Sequence, residues 1–397
     1  MYGNKIINHR IIFLVILFLV PISQVSIDIY SPSLPKIVTS LSTNSSSVQQ
    51  TVSLFLISLG LGQFFYGPIS DRYGRKNALL FGMILFTLSS LMCVIAQSIE
   101  FLIFARFIQG FSSASIAVLS KAVSVDLYKG IELMKATAWI GLVWGVSPII
   151  APVVGAYLDK FGGWRLPFIV LSVYGFISCI VILFFMKETN TSPQNLNLKR
   201  ILINSYKVIR NKDFFCSTII VAATNLGIFS FTMMGPFLIQ DIMGKSQVFY
   251  GQMALLVGLV YMLGAFASRF VIKYYEGQKI IHFTSTVLLL MSVLMVILSY
   301  FFPSSIFIFM ISSCGIAFAS GILYPYLIAI MFAPFNNLAG TVSSNYGVIS
   351  YTFSGIVTIF TGYLVITSIR EVAITYAMVG IITYIAMKIM FYLPARI

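Results

Sequence analysis

The chain is short of charge. Only 9% of its 397 residues are Asp, Glu, Lys or Arg, against about a quarter in soluble domains, so there is too little polar surface to clothe a water-soluble globule. Acidic residues are scarcest, at 11. Histidine is limited to His9 and His282, and neither stands near a cysteine or an acidic cluster with ligand spacing, so no metal site is expected. The four cysteines, at 93, 179, 216 and 314, show no C-x-x-C spacing and fall in or beside apolar runs. They read as small apolar fillers, not as disulfides. No G-x-x-x-x-G-K-[ST] loop is present, so nucleotide is excluded as an energy source. With no catalytic set in view, neither an enzyme nor a cofactor is expected.

What the chain has in abundance is apolar length. It is 59% hydrophobic with a mean hydropathy of +0.97, and a crossing of lipid takes about 20 residues. Apolar stretches lie near 10–31, 48–67, 77–96, 101–122, 135–158, 165–186, 214–238, 249–272, 280–301, 305–332, 338–366 and 372–393. The expectation is an all-α polytopic membrane protein with about twelve transmembrane helices. Thirty-five Phe and 21 Tyr suit lipid-facing and interfacial surfaces better than a nucleic-acid site. The net charge of +14 is explained by topology. One set of connections carries Lys5, Arg10, Arg72, Arg75, Lys76, Lys121, Lys129, Lys135, Lys187, Lys199, Arg200, Lys207, Arg210, Lys212, Lys273, Lys279 and Arg396, and the other only Lys36, Lys160, Arg165, Lys245 and Arg370. That bias predicts both termini on the cytoplasmic face. The opening run, after Lys5 and Arg10, continues past Pro21 to Asp28 without a small-residue cleavage site and is expected to be a retained first span.

Residues 187–213 are the one long polar interruption, crowded with Lys187, Glu188, Asn190, Pro193, Asn195, Lys199 and Arg200. They divide the chain into 1–186, a linker of 187–213, and 214–397, each flank holding six spans. Leu198 to Arg210 fits either a surface-lying amphipathic helix or a plain linker. The stretch 273–279 echoes the turn at 67–76 through Gly277 and Lys279 but lacks its aspartate.

Four features carry chemistry. Gly67-Pro68-Ile69-Ser70-Asp71-Arg72-Tyr73-Gly74-Arg75-Lys76 packs charge between two apolar runs and must be a very short surface loop. In it Asp71 and Arg72 pair with each other or with helix ends, Gly67 admits close helix approach, and Gly74 permits a positive φ. Asp28 is the only acidic residue inside a span. A carboxylate there is protonated, paired or facing a water-filled cavity, which suits a proton carrier; a position hydrated near the outer surface is the alternative. Arg106 is a buried guanidinium in need of an acceptor, or one that snorkels outward beside Glu100. Gly141, Gly145, Pro148, Pro152 and Gly155 line the fifth span, where small residues allow tight packing and prolines a bend. The second half has no acidic residue in a span but is rich in Tyr and Met, a lining that accepts bulky, partly apolar compounds. Candidate substrate contacts are Tyr30, Gln109, Asn225, Met233, Tyr261, Tyr324 and Asn345.

These motifs resemble those of the major facilitator superfamily. G-x-x-x-D-R-x-G-R-K is similar to its signature turn between the second and third spans. Asp28-Ile29-Tyr30-Ser31-Pro32-Ser33-Leu34-Pro35 resembles the end of the first span in drug:proton antiporters of the bicyclomycin and chloramphenicol resistance type. Arg106-Phe107-Ile108-Gln109-Gly110 looks like the family's R-x-x-Q-G motif, Ser147 to Ala156 resembles its antiporter motif with Ser147, Ala151 and Ala156 where glycine is common, and Gly162 to Phe168 looks like the W-R-x-x-F that follows it. The resemblance implies two pseudo-symmetric six-helix bundles, a substrate site between them, coupling through Asp28 and Arg106, a cytoplasmic gate at Gly67, Asp71, Arg72, Gly74, Arg75 and Lys76, and export by alternating access. The implied partners are a small-molecule substrate, protons and the lipid bilayer of a bacterial inner membrane, with the protein a monomer driven by the proton gradient and binding no nucleic acid. Export of one endogenous metabolite such as a siderophore or amino acid, uptake of a nutrient, and a membrane-embedded enzyme are the competing readings.

Overall fold

A computed structural model describes residues 2–190, 198–335 and 338–392. Its helices are α1 (Tyr2–Leu19), α2 (Pro21–Asp28), α3 (Leu34–Ser40), α4 (Ser45–Tyr73), α5 (Arg75–Val94), α6 (Ile99–Leu127), α7 (Gly130–Gly162) and α8 (Leu166–Phe185), then α9 (Leu198–Ile209). The second half follows with α10 (Lys212–Phe237), α11 (Gln247–Tyr274), α12 (Gly277–Phe301), α13 (Ile306–Phe332), α14 (Ala339–Gly362) and α15 (Ile369–Tyr392). Among the described residues no strand occurs, as lipid demands: a helix satisfies its backbone groups internally.

Eleven helical stretches among these residues are long and apolar enough to cross a membrane, the first running through α1, α2 and α3 from His9 to Ser40. The twelfth is α14. Its 24 residues would span a bilayer, but Ser343, Ser344, Asn345, Ser350, Thr352, Ser354 and Thr358 lower its hydropathy. Those side chains face protein instead of lipid. Asn345, Ser350, Ser354 and Thr358 are all buried.

The helices form two six-helix bundles. In the first, α4 packs on α6, and α5 on α6 and α8; in the second, α11 packs on α13, α12 on α15, and α10 on α13 and α15. The bundles meet along two seams, α4 with α14 and α7 with α11. We call the end bearing the Tyr73–Arg75 turn the basic end. The α4/α14 seam is closed along its length. A Cβ on Gly355 would press on Ser53 and Ile57, one on Gly60 on Thr352, and one on Gly347 on Gln63. Ser344 Oγ donates to the Gln63 carbonyl at 3.1 Å and Lys121 Nζ to Ser343 Oγ at 2.8 Å.

The α7/α11 seam is closed only away from the basic end. There Gly251 rests against Pro152, Val153 and Ala156, and Gly258 against Ile149. On the stretch of α7 nearer the basic end, Gly141 and Gly145 have nothing within 4 Å of where a Cβ would stand. The tight packing expected of all five motif positions is therefore confined to the outer part of the helix, and Gly141 and Gly145 are small without being squeezed. Helix α7 runs unbroken through Pro148 and Pro152.

The stretch 67–76 is also corrected. It is not a loop: α4 continues to Tyr73 and α5 begins at Arg75, leaving Gly74 alone between them with φ of +93°. Gly67 is roomy, its nearest neighbour beyond the helix being Val118 Cγ1 at 3.9 Å from a notional Cβ, so close approach is not its role. Of the linker, α9 is an amphipathic helix, with Ser205 and Val208 buried and Leu202, Ile203 and Tyr206 exposed. Pro193 and Asn195 lie outside the described residues, as do Arg396 and the side chains of Lys5 and Arg200.

Candidate functional site

The site begins with a broken helix. Pro21 opens α2 at a position where a missing N–H costs nothing, and Pro32 cannot donate back to the Asp28 carbonyl, so the helix stops there. Ser31 Oγ takes over as donor to that carbonyl at 2.8 Å. The break leaves the Ile29 carbonyl pointing at α7, where a Cβ on Gly155 would collide with its oxygen. Gly155 is thus required for close backbone approach. It seats the segment that carries the carboxylate.

Asp28 is 3% exposed, which rules out a hydrated position at the surface. Its Oδ1 accepts from Thr232 Oγ1 of α10 at 3.2 Å, and its Oδ2 from Gln24 Nε2, one turn back, at 3.5 Å. The first of these contacts crosses from one bundle to the other. Two more reinforce the junction on the same side: Ser31 Oγ with the Tyr250 hydroxyl at 3.2 Å, and Gln240 Nε2 donating to the Pro32 carbonyl at 2.9 Å.

Arg106 is completely buried, so it does not snorkel. Its Nη1 donates to the Ser26 carbonyl at 3.0 Å and to Gln109 Oε1 at 2.5 Å. Its guanidinium carbon lies 4.4 Å from the Tyr30 ring centroid and 4.1 Å from that of Phe55, a cation held between aromatic faces. Nε and Nη2 have no hydrogen-bond partner among the described residues. No ion pair joins Arg106 to Asp28 among the described residues; the arginine grips the backbone two residues before the carboxylate.

Of the candidate substrate contacts, Tyr30 and Gln109 belong to this cage. Tyr30 is fully buried with its hydroxyl 2.8 Å from Thr51 Oγ1, and Gln109 Nε2 donates to Ser90 Oγ at 2.7 Å. Met233 is buried in the core, and Asn345 Nδ2 donates to the Ser205 carbonyl of α9 at 3.3 Å. Asn225, Tyr261 and Tyr324 are half-buried, Asn225 Nδ2 reaching Ser350 Oγ at 3.4 Å. Tyr261 is on α11, Tyr324 on α13, and Tyr346 and Tyr351, both buried, on α14. These four tyrosines therefore all belong to helices of the second bundle.

At the basic end, the expected pairing of Asp71 with Arg72 does not form. Consecutive helical residues point about 100° apart, and Arg72 turns out over the Tyr73 ring at 5.2 Å. The partner is Arg75: Nη1 meets Asp71 Oδ1 at 2.5 Å and Nε meets Asp126 Oδ2 at 3.0 Å. Glu188 from the linker accepts from the Arg75 and Lys76 backbone N–H groups at 2.8 and 3.1 Å, capping α5. Lys76 Nζ donates to the Leu183 carbonyl at 2.9 Å. Thr189 Oγ1 donates to Asp126 and Asn190 Nδ2 to the Asp71 carbonyl. Gln24, four residues before Asp28, had a visible helical spacing; Thr232, Phe55, Asp126 and Glu188 carried no local signal. Among the described residues no group of His, Cys, Asp or Glu is gathered to hold a metal.

Comparison with known proteins agrees with this architecture. A family model described as Major Facilitator Superfamily matches residues 16–359. Multidrug resistance protein D of Escherichia coli (strain K12) is 26% identical over 379 residues, covering 94% of this chain and 93% of that protein. A bicyclomycin resistance protein homolog of Haemophilus influenzae is 29% identical over 250 residues, 62% of this chain and 63% of that protein, so the match there falls short of two thirds of the relative's length. The solved structure of the xylose transporter XylE from E. coli, in a partially occluded inward open conformation, has a TM-score of 0.74 at 13% identity, covering 97% of this chain and 98% of that one. This last likeness is one of fold alone.

Proposed function

The chain belongs to the Major Facilitator Superfamily and is a transporter, not an enzyme; from that premise we propose that it is a proton-coupled exporter of small, partly apolar molecules. The observation that carries the reading is the placement of Asp28, the one acid of the first span, buried at the junction of the two bundles and bonded across it to Thr232. A carboxylate in that position ties the bundles together on one side of the membrane. Taking up a proton changes it from a pure acceptor into a group with an O–H, which loosens or re-forms the junction contact. A rocking motion of residues 1–186 against 214–397, with 187–213 as the connection, would then expose a site between the bundles alternately to either side.

Arg106 serves in this scheme as a fixed cation. It holds the Ser26 backbone, and with it the segment that carries Asp28, without an ion pair between the two side chains. The Asp71, Arg75 and Asp126 cluster holds the first bundle's cytoplasmic rim, with the basic end of the molecule facing the cytoplasm of a bacterial cell. The relatives' names, multidrug resistance and bicyclomycin resistance, support drugs as the substrate class. Aromatic and hydroxyl groups without a dedicated ion partner suit varied ligands. Dedicated export of one metabolite would use the same machinery. The test is transport by purified protein in vesicles with an imposed proton gradient. Asp28→Asn is expected to remain in the membrane yet lose substrate-driven proton movement; unchanged coupling in that variant would remove Asp28 from the mechanism.

A further inference from the structure

The transport scheme leaves α9 without a role. This helix, Leu198–Ile209, is presented at a fixed level, since Asn211 caps α10 by accepting from the Phe214 N–H at 2.9 Å and α10 then enters its span. One side of α9 is tied down: Val208 is fully buried, and the Ser205 carbonyl accepts from Asn345 of α14. The other side is bare among the described residues. Leu202, Ile203 and Tyr206 are 58%, 55% and 65% exposed. Lys199, Lys207 and Arg210, also exposed, alternate with them around the same face, and none of the three makes an ion pair with a described acid. Arg210 lies over the Tyr206 ring at 6.0 Å.

Apolar side chains with basic groups between them, at the depth where the chain passes into lipid, match a leaflet surface of acyl chains and phosphates. A face turned to bulk water would not need Leu202 and Ile203, and one turned to hydrocarbon would not tolerate Lys199 and Lys207. We propose that the outward face of α9 is a docking surface for anionic lipid headgroups, with Leu202, Ile203 and Tyr206 seated among the acyl chains and Lys199, Lys207 and Arg210 on the phosphates. The site is independent of the proton scheme.

The test uses the full chain with Ile203→Cys carrying an environment-sensitive fluorophore and Cys314, the one native cysteine that is not buried, replaced by alanine. The protein is placed in nanodiscs of phosphatidylcholine alone or mixed equally with phosphatidylglycerol. Emission is expected to shift to the blue in the anionic discs and to return toward its starting value as salt is raised. Adding Lys199→Glu, Lys207→Glu and Arg210→Glu together is expected to weaken the attraction on the order of 100-fold, from roughly fivefold per charge, and to abolish the shift while the protein still elutes as a single folded species. Identical emission in both discs overturns the proposal. So does a shift that the triple variant retains, which would mean burial without headgroup recognition. If emission instead moves only when cytosolic protein is added, the face belongs to a protein partner and the lipid assignment falls.

Discussion

The two bundles bury different kinds of polarity. The first half holds a fully buried arginine, a carboxylate at the bundle junction and the Asp71, Arg75 and Asp126 cluster, besides the pair of Lys36 with Asp159 at 2.7 Å. In the second half the one ion pair among the described residues is Lys279 with Glu276, exposed at a helix start. Its interior is satisfied by hydroxyls, as where Ser313 meets Tyr376 at 2.9 Å and Ser320 donates to the Ile316 carbonyl. The corresponding turns differ in the same sense. Gly74 sits at positive φ with Glu188 against it, whereas Gly277 is an ordinary helical residue and no aspartate stands nearby. Fixed charge costs free energy in lipid and is kept where it does a task. The contrast supports the proposal that coupling belongs to the first half and adaptable, neutral contact to the second.

Moving the charge is the most severe way to break this division. Asp28→Asn should reduce proton-coupled export to the level of empty vesicles. The exchange Asp28→Thr with Thr232→Asp, which carries the carboxylate to the other side of the same hydrogen bond, tests whether its half matters. Recovery of coupling in the exchanged protein would show that position alone counts. Next in size is Gly155→Ala, whose methyl group meets the Ile29 backbone. A loss of about 3 kcal/mol is expected, seen as a lowered midpoint in thermal unfolding of the purified protein. Gly141→Ala and Gly145→Ala, on the same helix, should stay within about 0.5 kcal/mol of the parent.

The basic-end turns supply a finer contrast. Arg75→Gln removes charge-assisted bonds to Asp71 and Asp126 and should cost about 2 kcal/mol, while Lys279→Gln, which loses only an exposed pair, should cost about 0.5 kcal/mol or less. Equal effects in the same unfolding assay would erase the difference between the turns. Between these two substitutions in size lies Asn345→Ala, which frees the Ser205 carbonyl from α14. It should cost about 1 kcal/mol and raise amide exchange across α9 more than in the rest of the chain.

Much of this was legible in the residues before any coordinates. The apolar spans and the positive φ at Gly74 follow from apolar length and the absence of a Cβ, both local properties. The errors were also of one type. Adjacent charges let Asp71 and Arg72 pair with each other as readily as with a helix end, while a helix running to Tyr73 turns Arg75, at the start of α5, onto the aspartate's face. Gly67, Gly141 and Gly145 were read as contact points because small residues permit close approach, but permission is not contact. Thr232 was invisible because its meaning lies 204 residues away. Tyr30 and Gln109 looked like ligand contacts and instead enclose an arginine, a role that only the depth of Arg106 reveals.

The carboxylate of Glu188 has a consequence for how the chain can be divided. Because Glu188, Thr189 and Asn190 are bound to the Gly74 turn and to Asp126, the first bundle holds the chain through residue 190, five residues past the end of α8 at Phe185. A gene split after codon 190 should yield two co-expressed fragments that reassemble into a working protein, whereas a split after codon 187 hands the clasp to the wrong fragment and leaves α5 uncapped.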